Sequence, residues 1–139
     1  MENNNPHLKD FENFMSMRIK ASTDFLEGKF EPLEKISVKK SPATIFPPTG
    51  ICIQGADEVN SFNEKGSANF LSAAKNGFEV MHQDADEHLA YWTGIQRSTV
   101  KMKGQNNDVV FNLRVTEIFR KENGDWKLMH RHADKLSEQ

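Results

Sequence analysis

Two runs of β-branched and aromatic residues flank an Asn-Gly pair near the end of the chain, and this pattern constrains the fold more than any other. The first run covers residues 108–121, and the second begins at Trp126, shortly after Asn123 and Gly124. Asn-Gly between two such runs is the strongest short-range signal for a β-hairpin. The sequence therefore predicts that residues 108–137 form a hairpin to which the rest of a sheet is joined.

The type of turn decides which side chains of this hairpin share a face. A two-residue type I′ loop at the Asn-Gly pair places Glu117 opposite His130, on the face that carries His132. A type I turn followed by a bulge places Glu117 opposite Met129 instead and brings Arg131 onto the same face. A shift of one residue in register turns every side chain of a strand to the other face. Both registers are compatible with the hairpin pattern alone.

Glu117 lies between Val115 and Phe119 on the apolar face of the first hairpin strand. A bare buried carboxylate is costly, so this residue must be paired, be protonated or line a wet cavity. We expect Glu117 to line an internal cavity, with its pKa raised by desolvation. Arg131 is the partner offered by the bulged register, and a direct contact with it would lower the pKa instead.

Length and composition restrict the class of protein. The chain has 139 residues and a formal net charge of −2, without a block of basic residues, which disfavours a nucleic-acid partner. Its one cysteine, Cys52, excludes an internal disulfide and suits a reducing cytosol. Residues 1–5 are polar and are expected to be frayed, and no apolar run approaches membrane-spanning length. We therefore expect a cytoplasmic domain without a membrane segment.

Hydrophobic periodicity predicts the order of the secondary-structure elements. Apolar residues at helical spacing predict three helices, and alternation of apolar and polar residues predicts strands. In chain order the predictions are a helix over 6–27, a helix over 30–36, a short hairpin over 43–54, a helix over 56–76, and strands over 78–84 and 88–102. Helices segregated from a mostly antiparallel sheet define an α+β fold.

This order of elements, together with two segments, resembles the nuclear transport factor two-like superfamily. The segments are residues 84–91, Asp-Ala-Asp-Glu-His-Leu-Ala-Tyr, and residues 120–132, which contain the Asn-Gly turn and His-Arg-His. The nearest groups are the SnoaL-like and ketosteroid-isomerase-like domains and the association domain of calcium/calmodulin-dependent kinase. The resemblance covers about residues 8–135 and implies a single SnoaL-like domain over 1–139. In that fold a curved, mostly antiparallel sheet wraps around N-terminal helices as a cone with a pocket at its wide end.

The resemblance also implies which residues surround the pocket. In the isomerases an aspartate base stands just before a proline, and Pro47 occupies the place of that base here. A second acid of the isomerases falls at Glu117. The resemblance therefore predicts one catalytic acid, Glu117, and four ligand-binding residues: Arg131, Tyr91, Thr93 and Met129.

The association domains differ from this chain at their pocket arginines. Three such arginines fall here at Thr93, Glu117 and Ala133, none of which is arginine. Both alignments nevertheless place Glu117 and the Arg131 side of the last strand in the pocket. This agreement favours the bulged turn over the type I′ turn.

Two functions from different classes follow from the resemblance. The first is a cofactor-free isomerase, cyclase or hydratase that acts on a small hydrophobic or weakly polar ligand. The alternative is a non-catalytic module for ligand binding or dimerisation. The missing base at Pro47 favours the module, whereas a buried Glu117 favours the enzyme.

His130 and His132 stand two residues apart on a predicted strand, a spacing that could bind a metal ion. The favoured register turns both histidines outward, and His-x-His on a strand is far more common than a metal site. We therefore expect no metal and no cofactor.

A homodimer is also expected, through the outer face of the sheet. Many members of the superfamily that the chain resembles are dimers that pack through this face. Large apolar side chains left on that face would otherwise form an exposed patch. The residues assigned to it are Trp92, Ile118, Trp126 and Leu128.

Overall fold

The computed structural model describes residues 5–138, which form three helices and a seven-stranded sheet. The elements are α1 (Pro6–Phe25), α2 (Glu31–Lys35), β1 (Thr44–Phe46), β2 (Ile53–Gln54), α3 (Ala56–Ser67), β3 (Phe70–Ala85), β4 (Leu89–Met102), β5 (Val109–Val110), β6 (Leu113–Glu122) and β7 (Asp125–Lys135). The predicted α+β class is confirmed. Among the described residues, no helix is long and apolar enough to cross a membrane.

Helix α1 begins where the Asn-Pro signal predicts. The Asn5 side chain accepts hydrogen bonds from the backbone N–H groups of His7 and Leu8, at 3.0 and 3.2 Å. Asn5 is therefore a helix cap, not part of a frayed end, and residues 1–4 lie outside the described range. The buried face of α1 carries Phe11, Met15, Arg18, Ala21 and Ser22. Helical spacing thus brings one arginine into the apolar interior.

The third helix is shorter than predicted, because part of its sequence belongs to a strand. Helix α3 ends at Ser67, and β3 begins at Phe70 and pairs with β4 along its length. The apolar residues between 70 and 74 match helical spacing, but cross-strand pairing with β4 overrides that local pattern. The prediction of a helix over 56–76 is wrong after Ser67.

The sheet is mostly antiparallel and strongly bent. Its strand order is β2-β1-β7-β6-β4-β3, with β5 attached to β4, and only the β1–β7 pair among these strands is parallel. Three register shifts interrupt the β3–β4 ladder, and such bulges bend a strand. At one of them a Cβ on Gly94 would lie 1.9 Å from the Glu79 carbonyl oxygen, so glycine is required there. The predicted curved sheet is confirmed.

The hairpin turn is the type I′ loop, so the preference for the bulged turn is wrong. Asn123 and Gly124 have φ values of 51° and 86°, and a type I′ turn requires positive φ at both central residues. This loop pairs Lys121 with Trp126. Asparagine tolerates the left-handed conformation better than other non-glycine residues, which explains why this pair forms the tighter turn.

A bulge farther along β7 then changes the register that the turn sets. The pairing shifts between Ile118 and Phe119, and Met129 is the extra residue on β7. Glu117 consequently lies opposite Arg131, not opposite Met129. The shared face of Glu117 and Arg131 is as predicted, but the bulge at Met129 produces it and the turn does not.

The core lies between the inner face of the sheet and helices α1 and α2. Trp92 is completely buried and stacks on Phe78, with ring centroids 4.5 Å apart. Trp126 is also buried, and its ring meets Phe11 edge-on at 5.7 Å. Leu128 belongs to the same core. The assignment of these tryptophans and this leucine to an outer dimer face is therefore wrong.

Candidate functional site

Two arginines and one glutamate form an ion cluster inside the protein. Helix α1 supplies Arg18, β6 supplies Glu117 and β7 supplies Arg131; we call them the Arg18–Glu117–Arg131 cluster. Arg18 donates from Nε and Nη2 to the two Glu117 carboxylate oxygens, at 2.9 and 2.6 Å. Arg131 Nη1 donates to Oε2 at 2.7 Å, and Trp92 Nε1 donates to Oε1 at 2.8 Å. Both carboxylate oxygens are thus held by two donors each.

The cluster keeps Glu117 ionised. Burial raises the pKa of Glu117, but the charges of Arg18 and Arg131 outweigh burial and lower this pKa to about 2. The prediction of a raised pKa is therefore wrong, because Arg131 contacts the carboxylate directly and lowers the pKa instead. A carboxylate that is ionised at neutral pH and saturated with donors has no proton to give. The geometry consequently does not support Glu117 as a catalytic acid.

A cavity of about 350 Å³ lies beside the cluster, between α1, α3 and the inner face of the sheet. Its walls are largely apolar. They include Phe25, Leu26, Val59, Phe62, Phe70, Met102, Phe111, Leu128 and Met129. Polar side chains also border it, including Arg18, Ser22, Gln96, Ser98 and Arg131. Glu117 lies behind the arginines and does not line this cavity, contrary to prediction, whereas Arg131 and Met129 lie in its wall.

Arg131 is the cluster member with the greatest access to the cavity. Its side chain is 17 % exposed, whereas the side chains of Arg18 and Glu117 are 3 % and 0 % exposed. Arg131 Nη2 donates to Gln96 Oε1 at 2.7 Å. Burial lowers the pKa of the Arg131 guanidinium, and the Glu117 carboxylate opposes that shift. An arginine nevertheless remains protonated in proteins, so the cavity wall carries a fixed positive charge.

A polar network fixes Gln96 in the orientation that Arg131 needs. Gln96 Nε2 donates to Ser22 Oγ at 3.1 Å and to Asn76 Oδ1 at 3.0 Å. Ser98 Oγ donates to the same Asn76 oxygen at 2.8 Å. Because the amide nitrogen of Gln96 is occupied by these acceptors, its carbonyl oxygen points to Arg131. The guanidinium is thereby held from two sides, by Glu117 and by Gln96.

His130 lies on β7 beside β1. Its Nδ1 atom lies 2.7 Å from Thr44 Oγ1, and its ring meets Phe46 edge-on, with centroids 4.9 Å apart. Burial and the neighbouring His132 lower the pKa of His130. Arg131 faces inward, so alternation along β7 places the side chains of His130 and His132 on the outer face of the sheet, as predicted.

Tyr91 and Thr93 lie on the outer face of the sheet, away from the cavity. The Tyr91 hydroxyl lies 2.9 Å from His82 Nδ1, and Thr93 Oγ1 donates to the Val115 carbonyl oxygen at 2.9 Å. Trp92, between them on β4, is the residue that points inward. Successive side chains of a strand alternate between faces, so Tyr91 and Thr93 cannot share the inner face. Their predicted pocket placement is wrong.

Sequence reasoning missed Arg18, although a signal for it was present. Arg18 stands at helical spacing from Phe11 and Met15, on the stripe of α1 that faces the core. A charged residue on such a stripe indicates a buried partner. Across residues 5–138, no group of three or more His, Cys, Asp or Glu side chains is arranged to hold a metal ion.

No protein-family model matches the sequence, and no curated protein matches it. Solved structures do share its fold. A nuclear transport factor 2-like superfamily protein from Salmonella enterica has 10 % identity and a TM-score of 0.72, covering 94 % of this chain and 92 % of that chain. A candidate scytalone dehydratase from Novosphingobium aromaticivorans has 14 % identity and a TM-score of 0.73, covering 92 % and 85 %.

A third similar structure represents the association domains. A candidate calcium/calmodulin-dependent kinase II association domain from Exiguobacterium sibiricum has 14 % identity and a TM-score of 0.71. The match covers 100 % of this chain and 99 % of that chain. Identities this low establish the fold alone. The chain has the nuclear transport factor 2-like fold, as the sequence resemblance predicted.

Proposed function

We propose that the protein binds a small, largely hydrophobic molecule in the cavity beside the Arg18–Glu117–Arg131 cluster. The observation that carries this proposal is the cavity itself, about 350 Å³ in volume, with apolar walls and a few fixed polar groups. Ligand sites in proteins have this character, and their volumes begin at roughly 300 Å³. Apolar walls supply affinity, and the polar groups orient the ligand.

The size of the cavity limits the ligand. An engineered cavity of about 150 Å³ holds benzene, so a volume of about 350 Å³ holds roughly 14 non-hydrogen atoms. Aromatic rings from Phe25, Phe62, Phe70 and Phe111 line the walls. A molecule with one aromatic ring and a short chain matches both the volume and these walls.

Binding of phenylbutanamide, a neutral molecule close to this size, tests the proposal by ligand-detected NMR. We expect wild-type protein to bind it and Val59→Trp to lose binding, because the indole fills space that Val59 borders. Val110→Trp is the matched control, since Val110 is 68 % exposed on β5 and does not line the cavity. Absence of binding by wild-type protein, or undiminished binding by Val59→Trp, would contradict the proposal.

Catalysis is a second candidate function, and the likeness to a candidate dehydratase favours it. A cofactor-free isomerase, cyclase or hydratase would act on a ligand held in this cavity.

Proton exchange provides a test of this candidate that requires no knowledge of the natural substrate. Benzylacetone in heavy water exchanges protons on the carbons next to its carbonyl group, and NMR follows the rate. We expect faster exchange with wild-type protein than with Val59→Trp, which fills the cavity, and Val110→Trp serves as the control. Equal rates for wild type and Val59→Trp would rule out catalysis of this exchange in the cavity.

We also propose a homodimer through the outer face of the sheet, with contacts different from those expected. Trp92, Trp126 and Leu128 are buried, but Met81 on β3 is 70 % exposed and borders an outer groove. The likeness to association domains also supports assembly. Sedimentation equilibrium should give a dimer for wild-type protein and for Met17→Asp, a control on exposed α1 surface, and a monomer for Met81→Asp. A wild-type monomer would contradict the proposal.

A further inference from the structure

We infer that the cavity selects ligands that carry a carboxylate group, which binds to Arg131 with Arg18 behind it. This inference deepens the proposed ligand binding and rests on it. It defines the chemical class of the ligand as an aryl or alkyl acid, in which an apolar body ends in one negative charge. This charge distinguishes the ligand from the hydrophobic or weakly polar molecule that the sequence predicts.

The charge balance of the Arg18–Glu117–Arg131 cluster is the first argument. Two guanidinium groups face one carboxylate, so the cluster carries one excess positive charge in the interior. Among the described residues that line the cavity, none is aspartate or glutamate. A buried charge is costly unless an opposite charge accompanies it. A ligand carboxylate would supply the missing negative charge.

Unused donor capacity is the second argument. Arg18 Nη1 is buried and has no hydrogen-bond acceptor among the described residues. Arg131 uses only part of its donor capacity in its bonds to Glu117 and Gln96. Buried donors without acceptors are rare in proteins and indicate an absent partner. The cluster thus lacks acceptor atoms as well as negative charge.

The fixed position of Arg131 is the third argument. Glu117 holds Nη1 and Gln96 holds Nη2, and both of these partners are held by further bonds, from Trp92 to Glu117 and from Gln96 to Asn76. A guanidinium anchored in this way loses little conformational freedom when a ligand arrives. Its planar set of donors suits carboxylate oxygens, and hydrogen bonds between charged partners are the strong ones.

The excess positive charge at one end of the cavity and the apolar walls at the other give the ligand one orientation. The carboxylate lies at the arginines, and the apolar body extends along the walls formed by Phe25, Phe62 and Phe70. A ligand with a cationic head is disfavoured, because it would meet the excess positive charge. A neutral head leaves that charge unbalanced, so it should bind more weakly than an acid of the same shape.

Three ligands of one shape test the inference by isothermal titration calorimetry at neutral pH. Phenylbutanoate, phenylbutanamide and phenylbutylamine share the aryl chain and differ in the charge of the head group. We expect wild-type protein to bind the acid at least tenfold more tightly than the amide, and the amine most weakly. Equal affinity for acid and amide would overturn the inference and leave the proposed function intact. Failure of all three to bind would overturn both.

Variants of Arg131 then assign the preference to a residue. Arg131→Gln should bind acid and amide equally, whereas Arg131→Lys, which keeps the charge, should retain a preference for the acid. Arg114→Gln is the matched control, because Arg114 is exposed on the outer face and pairs with Asp134. Circular dichroism establishes whether each variant is folded. If Arg131→Gln does not fold, the comparison of the three ligands on wild-type protein still tests the preference for a carboxylate. A tenfold preference that survives in folded Arg131→Gln would contradict the assignment.

Discussion

Replacing Glu117 by glutamine removes the anion of the buried cluster while keeping the shape of the side chain. The substitution leaves Arg18 and Arg131 as two buried cations without a counter-ion. It also turns an amide nitrogen toward a donor of Arg18 and a donor of either Trp92 or Arg131, because each Glu117 oxygen accepts two hydrogen bonds. Removing one partner of a buried ion pair costs about 3–5 kcal/mol.

The lowered pKa of Glu117 points in the same direction. A pKa of about 2 in the folded protein, against 4.5 for the unperturbed group, is a difference of roughly 2.5 units, or about 3 kcal/mol of stability at neutral pH. For a chain of this length, a loss of about 3–5 kcal/mol lowers the melting temperature by roughly 10–17 °C. We expect a thermal melt of Glu117→Gln to show that shift.

The control for this experiment is Glu79→Gln. Glu79 also binds an arginine, Arg97, but both side chains are largely exposed. Exposed ion pairs contribute little to stability, so the control should melt close to the wild-type temperature. If Glu117→Gln melted within a degree or so of the wild type, the reasoning from the buried cluster would be refuted.

The pH dependence of stability follows from the sign of the Glu117 shift, since its pKa is lower in the folded protein. Urea unfolding should show that wild type is more stable than Glu117→Gln above about pH 4.5, and that this difference is lost as pH falls toward 2. A difference in stability that stays constant with pH would contradict the lowered pKa of Glu117. Trp92→Phe removes the indole N–H that donates to the Glu117 carboxylate, and it should lower the free energy of unfolding by about 1.5–3 kcal/mol in the same assay. An unchanged free energy of unfolding would show that this hydrogen bond contributes nothing. Gly94→Ala should lower the melting temperature, because the added Cβ meets the Glu79 carbonyl oxygen at 1.9 Å, and a stabilised variant would contradict that close approach. An NMR titration should place the midpoint of His130 below its unperturbed pKa of 6.5, and a higher midpoint would refute its burial.

Local signals predicted those parts of the fold that short-range physics determines. The Asn-Gly pair predicted the hairpin because few other pairs of residues adopt two adjacent positive φ angles. The Asn-Pro start of α1 was likewise readable, since an N-cap and a first-turn proline act within a few residues. The α+β class followed from the order of such elements.

Features that depend on distant contacts were not predictable in the same way. The bulge at Met129 reconciles the type I′ turn with the pairing of Glu117 and Arg131. The two registers predicted from the turn types alone contain no bulge at this position. Arg18 lies 99 residues from Glu117 in the chain, so no local pattern relates the two. One hint was available, because a charge on a helix stripe facing the core requires a partner.

The pocket face of β4 was misassigned through a shift of one residue. The alignment placed Tyr91 and Thr93 inward, but the structure points Trp92 inward, and alternation along the strand then reverses every neighbour. The same error placed Trp92 on the outer face. Bulges in β3 and β7 show why register in a bent sheet is difficult to transfer between proteins of 10–14 % identity.

A crystal structure of the protein with phenylbutanoate would show both whether the cavity is the binding site and which end of the ligand meets the arginines. We expect the carboxylate within hydrogen-bond distance of Arg131, and the benzene ring among Phe25, Phe62 and Phe70. A cavity without ligand density at saturating phenylbutanoate, or a ligand with its ring against Arg131 and its carboxylate among the phenylalanines, would contradict it.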